Sequence, residues 1–271
     1  MSKMATKKIG KTAPGQSNTV QRRRILSDKS SFYVQEAYKT LRTNIRFSLS
    51  TGNNKKFCIT SSLASEGKSI TILNLAISFA QSGQKVLLID ADLRRPNQAK
   101  LLIEKSSPGL SNILAGLNNV EECIRKEVYP NLDMIFSGEI PPNPSELLGS
   151  PRMKQLIKSV EGRYDYILVD TPPVDIVSDA CILGNILDGV LYLVRMNQTE
   201  KEAVAIGLHQ LELSGAKLMG FVLNGTEPES IGHYGRKKYR YSYRYRYGYR
   251  YGYGYKYKYS YESHANKKDK K

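Results

Sequence analysis

One stretch decides the fold class of this chain: Ser62-Leu63-Ala64-Ser65-Glu66-Gly67-Lys68-Ser69. It follows a short apolar run, Phe57 to Thr60, and opens a helical pattern that continues to Gln81. The spacing is that of the phosphate-binding loop G-x-x-x-x-G-K-[ST], with Ser62 where the first glycine usually stands. In such a loop, backbone N–H groups at a helix N-terminus surround phosphates, the lysine contacts them and the hydroxyl binds Mg²⁺. The strand-loop-helix context therefore predicts a nucleotide site rather than an ordinary turn.

Two further apolar runs end in aspartate. One is Val86-Leu87-Leu88-Ile89-Asp90-Ala91-Asp92, and the other is Tyr166-Ile167-Leu168-Val169-Asp170. If both are strands of a parallel sheet, their carboxyl ends meet at one edge, and all three carboxylates converge near the phosphate loop. A strand-terminal aspartate can also simply cap the helix that follows it. Three of them together with a phosphate loop make capping the minority interpretation.

The apolar pattern between residues 30 and 230 alternates β-rich runs with helical stretches. We expect strands at Phe57–Thr60, Lys85–Asp90, Leu132–Phe136, Tyr164–Asp170, Gly189–Arg195 and Lys217–Asn224. We expect helices at Val34–Leu49, Lys68–Gln81, Ser145–Val160, Ala180–Ile186 and Glu200–Leu213. Several strands are continuously apolar, as expected when both faces of a parallel sheet are covered. This predicts a doubly wound, mostly parallel α/β fold of the P-loop NTPase type, resembling the partitioning ATPases, with its site at the carboxyl ends of the strands.

Charge divides the 271 residues into three parts. Residues 1–24 carry a net charge of +7, residues 234–271 carry +11, and the part between them carries −2, so the overall +16 belongs to the two ends. Such segments lack the apolar surface that would offset the entropy of ordering their backbone. We therefore expect a disordered basic leader (1–29), one domain (30–230) and a disordered tail (231–271).

The tail contains 13 of the 19 tyrosines, and from Tyr239 to Tyr261 a tyrosine occupies every second position. No packed core needs this pattern, so the hydroxyl groups are available to chemistry. Arginine and tyrosine interleaved with glycine are also typical of segments that bind single-stranded RNA or DNA through phosphate contacts and base stacking. The composition alone leaves both interpretations open.

Several classes are disfavoured by the sequence. Cys58, Cys123 and Cys181 are odd in number and lie outside any C-x-x-C spacing, so they indicate neither a disulfide framework nor a zinc site. No apolar run approaches the roughly 20 residues that cross a bilayer. The basic N-terminal residues precede no apolar stretch, so we expect no secretory signal. A reduced, cytosolic protein is the simplest interpretation.

The motifs together resemble the bacterial tyrosine kinases (BY-kinases) of capsular and exopolysaccharide synthesis. The resemblance covers about residues 30 to 230, and the tyrosine cluster matches the C-terminal feature of that family. It is carried by the phosphate loop and by Glu36-Ala37-Tyr38-Lys39-Thr40-Leu41-Arg42-Thr43-Asn44-Ile45, Asp90-Ala91-Asp92-Leu93-Arg94-Arg95-Pro96, Pro141-Pro142-Asn143-Pro144-Ser145-Glu146-Leu147-Leu148 and Asp170-Thr171-Pro172-Pro173. Eukaryotic kinase signatures such as H-R-D and D-F-G do not occur.

The resemblance implies an ATP- and Mg²⁺-dependent protein-tyrosine kinase. Lys68 would hold the ATP phosphates, Asp90 would take the tyrosine proton, and Asp92 would act beside them in catalysis. Ser69, Asp92 and Asp170 would hold the metal. The nucleotide would contact Ser62, Glu66, Gly67, Lys68, Ser69, Ile70 and Asn224. For Asn224, an adenine contact and an ordinary turn at a strand end are equally compatible with the sequence.

In the family, the helix before the phosphate loop carries the oligomerisation motif E-x-x-R-x-x-R. Here the corresponding residues are Glu36, Lys39 and Arg42, which helical spacing places on one face. Lysine keeps the charge of arginine without its bidentate geometry, so the predicted interface is weaker. A solvated, salt-bridged face is the alternative interpretation.

The resemblance also implies partners. They are a homo-oligomer, expected to be a ring, a membrane adaptor of the polysaccharide co-polymerase type that recruits a cytoplasmic kinase to the membrane, and a protein-tyrosine phosphatase. The predicted acceptors, modified in trans, are Tyr239, Tyr241, Tyr243, Tyr245, Tyr247, Tyr249, Tyr251, Tyr253, Tyr255, Tyr257, Tyr259 and Tyr261. The rival class is a partitioning-type ATPase without kinase activity, but those proteins usually begin the loop with K-G-G, which residues 62–64 lack. A nucleic-acid-binding ATPase is the third possibility.

Overall fold

A computed structural model describes residues 24–49 and 55–226. Within these ranges the chain forms one seven-stranded sheet with helices around it. The elements are α1 (Phe32–Ser48), β1 (Lys55–Ser61), α2 (Lys68–Gln81), β2 (Val86–Asp90), α3 (Gln98–Leu102), α4 (Leu110–Ala115), α5 (Val120–Cys123), β3 (Ile124–Tyr129), β4 (Leu132–Ile135), α6 (Pro144–Leu148), α7 (Pro151–Glu161), β5 (Tyr166–Asp170), α8 (Asp179–Gly184), β6 (Gly189–Arg195), α9 (Lys201–Ser214) and β7 (Leu218–Asn224).

The strand order is β3-β4-β2-β5-β1-β6-β7, and every neighbouring pair is parallel except β3 with β4. This confirms the predicted doubly wound α/β fold. All residues of β2 and β5 are buried. Their side chains alternate between two apolar clusters, with Leu87 and Ile89 on one face of the sheet and Val86 and Leu88 on the other. The continuous apolar runs arise because helices cover both faces.

The central strands end together at one edge of the sheet. Asp90 is the register partner of Asp170, and Asp170 is also the partner of Ile59 in β1. Two buried hydroxyl groups fasten this edge, since Thr60 Oγ1 donates to the Pro172 carbonyl at 2.9 Å and Thr171 Oγ1 donates to the Ile59 carbonyl at 2.8 Å. The segments that follow β1, β2 and β5 therefore start from fixed positions.

The predicted elements need three corrections. The single helix expected at Ser145–Val160 is two helices, α6 and α7, because Pro151 begins a new helix, where its missing N–H costs nothing. The antiparallel strand β3 was not predicted, since its polar sequence is only partly buried at an edge of the sheet. The short helices α3, α4 and α5 were also missed because each is at most six residues long.

The boundary of the basic leader also needs correction, because residues 24–29 include a packed segment. Leu26 is buried, and its N–H donates to Asn74 Oδ1 in α2 at 2.8 Å. The Asn74 amide donates in turn to the Arg24 carbonyl at 2.9 Å. The tail 231–271, with all the predicted acceptor tyrosines, lies outside the described residues. In the described ranges, none of the helices combines the length and apolar character of a membrane span.

Candidate active site

The phosphate loop joins β1 to α2, and its last turn requires glycine. Gly67 has a φ of 102°, which L side chains rarely adopt. A Cβ at this position would lie 2.3 Å from Asn224 Nδ2. That amide donates to the Glu66 carbonyl at 2.8 Å, while Asn224 Oδ1 accepts from Gly225 N at 2.9 Å. Asn224 therefore braces the loop from the end of β7, and its predicted contact with adenine remains a prediction.

Two residues predicted to bind the nucleotide direct their side chains into the protein. Glu66 is fully buried and accepts from Leu63 N at 3.0 Å and from the Thr199 hydroxyl. Ser62 is also buried, and its hydroxyl lies 2.7 Å from the Tyr192 hydroxyl. Both side chains shape the loop, so their contribution to a ligand would come from the backbone. Ile70, in the first turn of α2, is partly buried.

Lys68 is folded against its own loop. Its ammonium group is 3.0 Å from Ser61 Oγ and 3.4 Å from the Leu63 carbonyl oxygen, and the residue is buried. Burial lowers the pKa of Lys68, and the charges of Asp170, Asp92 and Glu66 oppose that change. The lysine is thus an incompletely paired cation that negative charge nearby would stabilise.

Asp90 and Asp170 form a buried pair of carboxyl groups. Burial raises the pKa of Asp90 well above its usual range, and the charges of Asp170 and Asp92 add to the effect. Burial also raises the pKa of Asp170 to about 6, although hydrogen bonds from Ser69 and Gln98 and the charge of Lys68 favour its ionised form. In each residue, Oδ1 is buried and has no hydrogen-bond partner within the described residues.

Gln98, which sequence reasoning missed, links the two acids. Its backbone N–H donates to Asp90 Oδ2 at 3.2 Å, and its side-chain amide donates to Asp170 Oδ2 at 2.8 Å. Asp92 is partly buried in the turn after β2, where its Oδ1 accepts from Arg95 N at 2.9 Å. Its charge acts on Lys68 and on both acids, so the three predicted carboxylates lie near the loop, as expected.

The segments 90–96 and 141–148, which carry part of the family resemblance, both contact Asp179. This residue was not predicted from the sequence. The fully buried Asp179 carboxylate accepts from Arg94 Nε at 3.0 Å and from Ser145 Oγ at 2.6 Å. Arg94 also donates to Ser145 Oγ at 2.7 Å. The loop after β2 is therefore tied to the N-termini of α6 and α8. No local pattern marks Asp179 as the partner of an arginine 85 residues away.

A second polar cluster, formed by the buried Tyr192 and the partly buried Asp175, adjoins the phosphate loop through the Tyr192 contact with Ser62. Burial raises the pKa of Tyr192 to about 12, and burial together with the charge of Glu66 raises the pKa of Asp175 to about 6. A Cβ at Gly207 in α9 would lie 2.1 Å from Tyr192 Oη and 2.5 Å from Asp175 Oδ1. Glycine at this position therefore leaves room for both polar groups.

The residues predicted at the oligomer interface do not share one environment. Lys39 and Glu36 form an exposed ion pair at 2.8 Å on α1. Arg42 is half-buried and donates to the backbone carbonyl and hydroxyl oxygens of Ser78 in α2. The guanidinium therefore serves a contact within the chain, and only Glu36 and Lys39 present charge to the surface.

The residues at this edge suit a small hard cation. Asp90 and Asp170 offer unpaired buried carboxylate oxygens, and the Ser69 side chain adjoins Asp170. Across residues 24–49 and 55–226, no three His, Cys, Asp or Glu side chains form a metal-binding group. Mg²⁺ typically uses one or two carboxylates and completes its shell with water and substrate phosphates, so the donor set fits it.

The strand order, the phosphate loop and the acids at the ends of β2 and β5 define a P-loop NTPase. A family model described as an AAA domain matches residues 55–211. Tyrosine-protein kinase YwqD of Bacillus subtilis (strain 168) is 40% identical over 221 residues, which are 80% of this chain and 93% of that protein. The kinase domain of Escherichia coli tyrosine kinase ETK has a TM-score of 0.70 at 36% identity, covering 78% of this chain and 80% of that one. The chimerical protein CapA2B2 has a TM-score of 0.67 at 35% identity, covering 72% and 85%.

The chain belongs to the bacterial tyrosine kinase family, as the sequence motifs predicted. The relatives that the chain matches over most of their length are named tyrosine-protein kinases, and its activity is that of a protein-tyrosine kinase. Its fold is the nucleotide-binding fold of P-loop NTPases.

Proposed function

We propose that this kinase transfers the γ-phosphoryl group of ATP to the tyrosines of its own tail, between subunits of an oligomer. The observation that carries the proposal is the placement of Asp90 and Asp170 in register at the edge where Lys68 begins α2. Phosphoryl transfer needs mainly alignment and neutralisation of charge. The buried Lys68 and the two acids of raised pKa supply the groups that align the reactants and neutralise their charge.

In this proposal Lys68 binds the β and γ phosphates, and the backbone N–H groups of residues 62–69 surround them. Ser69, Asp92 and Asp170 hold Mg²⁺, which supplies charge neutralisation when it is bound. Asp90 accepts the proton of the tyrosine hydroxyl as the new O–P bond forms and the bond from the γ phosphorus to the β–γ bridging oxygen breaks. The raised pKa of Asp90 suits this role, because a carboxylate in such a site holds a proton readily.

The proposed acceptors are the tail tyrosines at alternate positions from Tyr239 to Tyr261. Residues 234–271 carry a net charge of +11, so an acidic site attracts them. These 38 residues could span about 125 Å when extended, which is enough to reach a neighbouring subunit. Length therefore permits transfer in trans, and it permits transfer within one chain as well.

The proposed assembly is a homo-oligomer, with α1 contributing to the interface. Glu36 and Lys39 are exposed on this helix, and the aromatic side chains of Phe32 and Tyr33 at its start are 62% and 67% exposed. The family resemblance further suggests a ring, a membrane adaptor that recruits the kinase to the cytoplasmic side of the membrane, and a phosphatase that reverses the modification.

A mixing experiment tests transfer between subunits. An inactive full-length Lys68→Met chain is incubated with Mg-ATP and an active chain that lacks residues 234–271. We expect phosphotyrosine on the Lys68→Met chain. If wild-type protein labels its own tail while the Lys68→Met chain stays unlabelled in the mixture, transfer occurs within one subunit. If the wild-type tail is never labelled, tail autophosphorylation itself is wrong.

A further inference from the structure

Gln98 contacts all three elements that carry the proposed catalytic groups. Its backbone N–H bonds to Asp90 at the end of β2, as described above. Its side-chain Nε2 donates to Asp170 Oδ2 at 2.8 Å and also to the Ser69 carbonyl at 3.0 Å, in the first turn of α2. The residue is fully buried. One side chain thus ties the phosphate-loop helix to the acid of β5, while its backbone holds the acid of β2.

These contacts determine the orientation of the amide. Both atoms that Nε2 approaches are oxygen acceptors, so the NH₂ group and not the carbonyl oxygen must face them. Both N–H donors are then used. The remaining atom, Oε1, is buried without a hydrogen-bond partner in the described part of the chain, as are Asp90 Oδ1 and Asp170 Oδ1.

The three unpaired atoms belong to residues joined by direct hydrogen bonds, and all three are acceptors. Acceptors cannot satisfy one another, and each buried polar group without a partner lowers the stability of the folded protein. Their complement is a cation or a hydrogen-bond donor, such as a metal ion with its bound water, another water molecule or a proton. Ser111 Oγ and Asp175 Oδ1 are also buried and unpaired in the described region, but no hydrogen bond links either of them to Asp90 or Asp170. The direct bonds to proposed metal and catalytic groups distinguish Gln98.

We propose that Gln98 is a positioning residue of the phosphoryl-transfer site, holding Asp170 against Ser69 and Asp90 at the end of β2 for a hydrated divalent cation. The inference rests on the proposed function, since it presupposes that Mg²⁺ and nucleotide occupy this edge. Partners that orient metal ligands typically contribute about 10–100-fold to metal affinity. If Gln98 only fills space, replacing it alters stability and leaves metal affinity unchanged.

The test measures binding of Mn²⁺, as a probe for Mg²⁺, to the full chain with saturating ADP, using the electron paramagnetic resonance signal of free Mn²⁺. For Gln98→Leu we expect the Kd for Mn²⁺ to rise about 10-fold, while the Kd for ADP without metal stays within about twofold of wild type. The kinase rate at low Mg²⁺ should fall, and raising Mg²⁺ about 10-fold should restore it. A packing defect would not respond to metal in this way.

Asn97→Ala is the matched control, because Asn97 adjoins Gln98 at the start of α3 and its side chain makes no capping bond there. It should bind Mn²⁺ within about twofold of wild type. Gln98→Asn keeps the amide but is one methylene shorter, so it should reproduce the defect and serves if the leucine variant does not fold. Wild-type affinity for Mn²⁺ in either folded Gln98 variant would overturn the inference. If wild-type protein itself takes up no Mn²⁺ with ADP, the proposed function fails instead.

Discussion

Asp90 and Asp170 are register partners at the ends of adjacent parallel strands, and both carboxyl groups are buried. Two such groups cannot both ionise cheaply, because each lacks water and each repels the other. The pKa of Asp90 and the pKa of Asp170 are accordingly raised. This pair stores unfavourable charge at neutral pH that a cation and the substrate would relieve. The pair therefore lowers the stability of the protein without ligand. In return it provides acids whose charge a cation can neutralise during phosphoryl transfer.

The first prediction concerns Asp90→Asn. An amide cannot accept the tyrosine proton, so the catalytic rate should fall by about 10²–10⁴-fold, while the Kd for Mg-ATP changes little. The same variant should melt at a higher temperature at neutral pH without ligand, because the raised pKa of the buried acid lowers stability at that pH and an amide does not titrate. Single-turnover phosphorylation and thermal melting measure the two effects. A variant with wild-type turnover would show that another group receives the proton.

The second prediction concerns pH and Asp175, which lies outside the proposed metal ligands. Its pKa is about 6 in the folded protein and about 3.9 when unfolded. The folded state therefore holds the proton to higher pH, and the stabilisation it gives is lost as pH rises through about 6. The Asp175→Asn variant has no carboxyl group at this position, so its stability does not decrease for this reason as pH rises. Its melting temperature should match wild type near pH 4 and exceed it at pH 7.5 by about 2–4 °C, the effect of about 1 kcal/mol in a domain of this size.

Groups such as Asp90 and Asp170 titrate in both proteins, so the difference between the two melting curves isolates Asp175. A difference that is constant from pH 4 to pH 8 would mean that Asp175 has an ordinary pKa in the folded protein.

The third prediction concerns the polar cluster of Tyr192 and Asp175 that adjoins Ser62 of the phosphate loop. Gly207→Ala would place a methyl group 2.1 Å from Tyr192 Oη and 2.5 Å from Asp175 Oδ1, so these side chains must shift, which strains the hydrogen bond between Tyr192 and Ser62. We expect destabilisation of about 1–3 kcal/mol and a higher KM for ATP. Adding Tyr192→Phe removes the colliding hydroxyl and should recover part of the stability. Gly162→Ala is the control, since no atom lies within 4 Å of its added Cβ.

Denaturant unfolding and steady-state kinetics of these variants would check the result. Equal stability of the alanine variants at positions 207 and 162 would mean that the region around Tyr192 accommodates the methyl group without strain.

The fourth prediction separates the two roles considered for Asn224. If its amide only braces the Glu66 carbonyl, Asn224→Ala removes one hydrogen bond, worth about 0.5–1.5 kcal/mol. The affinities for Mg-ATP and for Mg-tripolyphosphate should then fall by the same factor, roughly 2–10-fold. Isothermal titration with both ligands decides the matter. A loss confined to ATP would instead assign Asn224 to the base.

The parts of the fold that depend on a pattern of contiguous residues were predicted from the sequence. The strand ending at Asp90 and the loop ending at Ser69 each carry their own apolar or glycine pattern, so their elements and their meeting point at one sheet edge were predicted correctly. Where the pattern was short or ambiguous, prediction failed. The break between α6 and α7 depended on Pro151, whose effect was hidden by apolar spacing that continues through it.

The missed members of the site share a different cause. Gln98, Asp179 and Tyr192 act through partners 72, 85 and 130 residues away, respectively. Glutamine, aspartate or tyrosine at such positions matches no motif, and burial converts each into a structural partner only after the sheet has formed. The direction of the Ser62 and Glu66 side chains was hidden for the same reason, since the loop pattern specifies backbone shape and leaves side-chain partners open.

The central claim is that Lys68, Asp90 and Asp170 form one site that phosphorylates the tyrosines between Tyr239 and Tyr261. The most direct test is mass spectrometry of residues 231–271 after purified wild-type and Lys68→Met proteins are each incubated with Mg-ATP. We predict phosphate on several of these tyrosines in the wild-type chain and none in the Lys68→Met chain. Phosphate at equal occupancy in both chains, or a wild-type tail that stays unmodified, would contradict the claim.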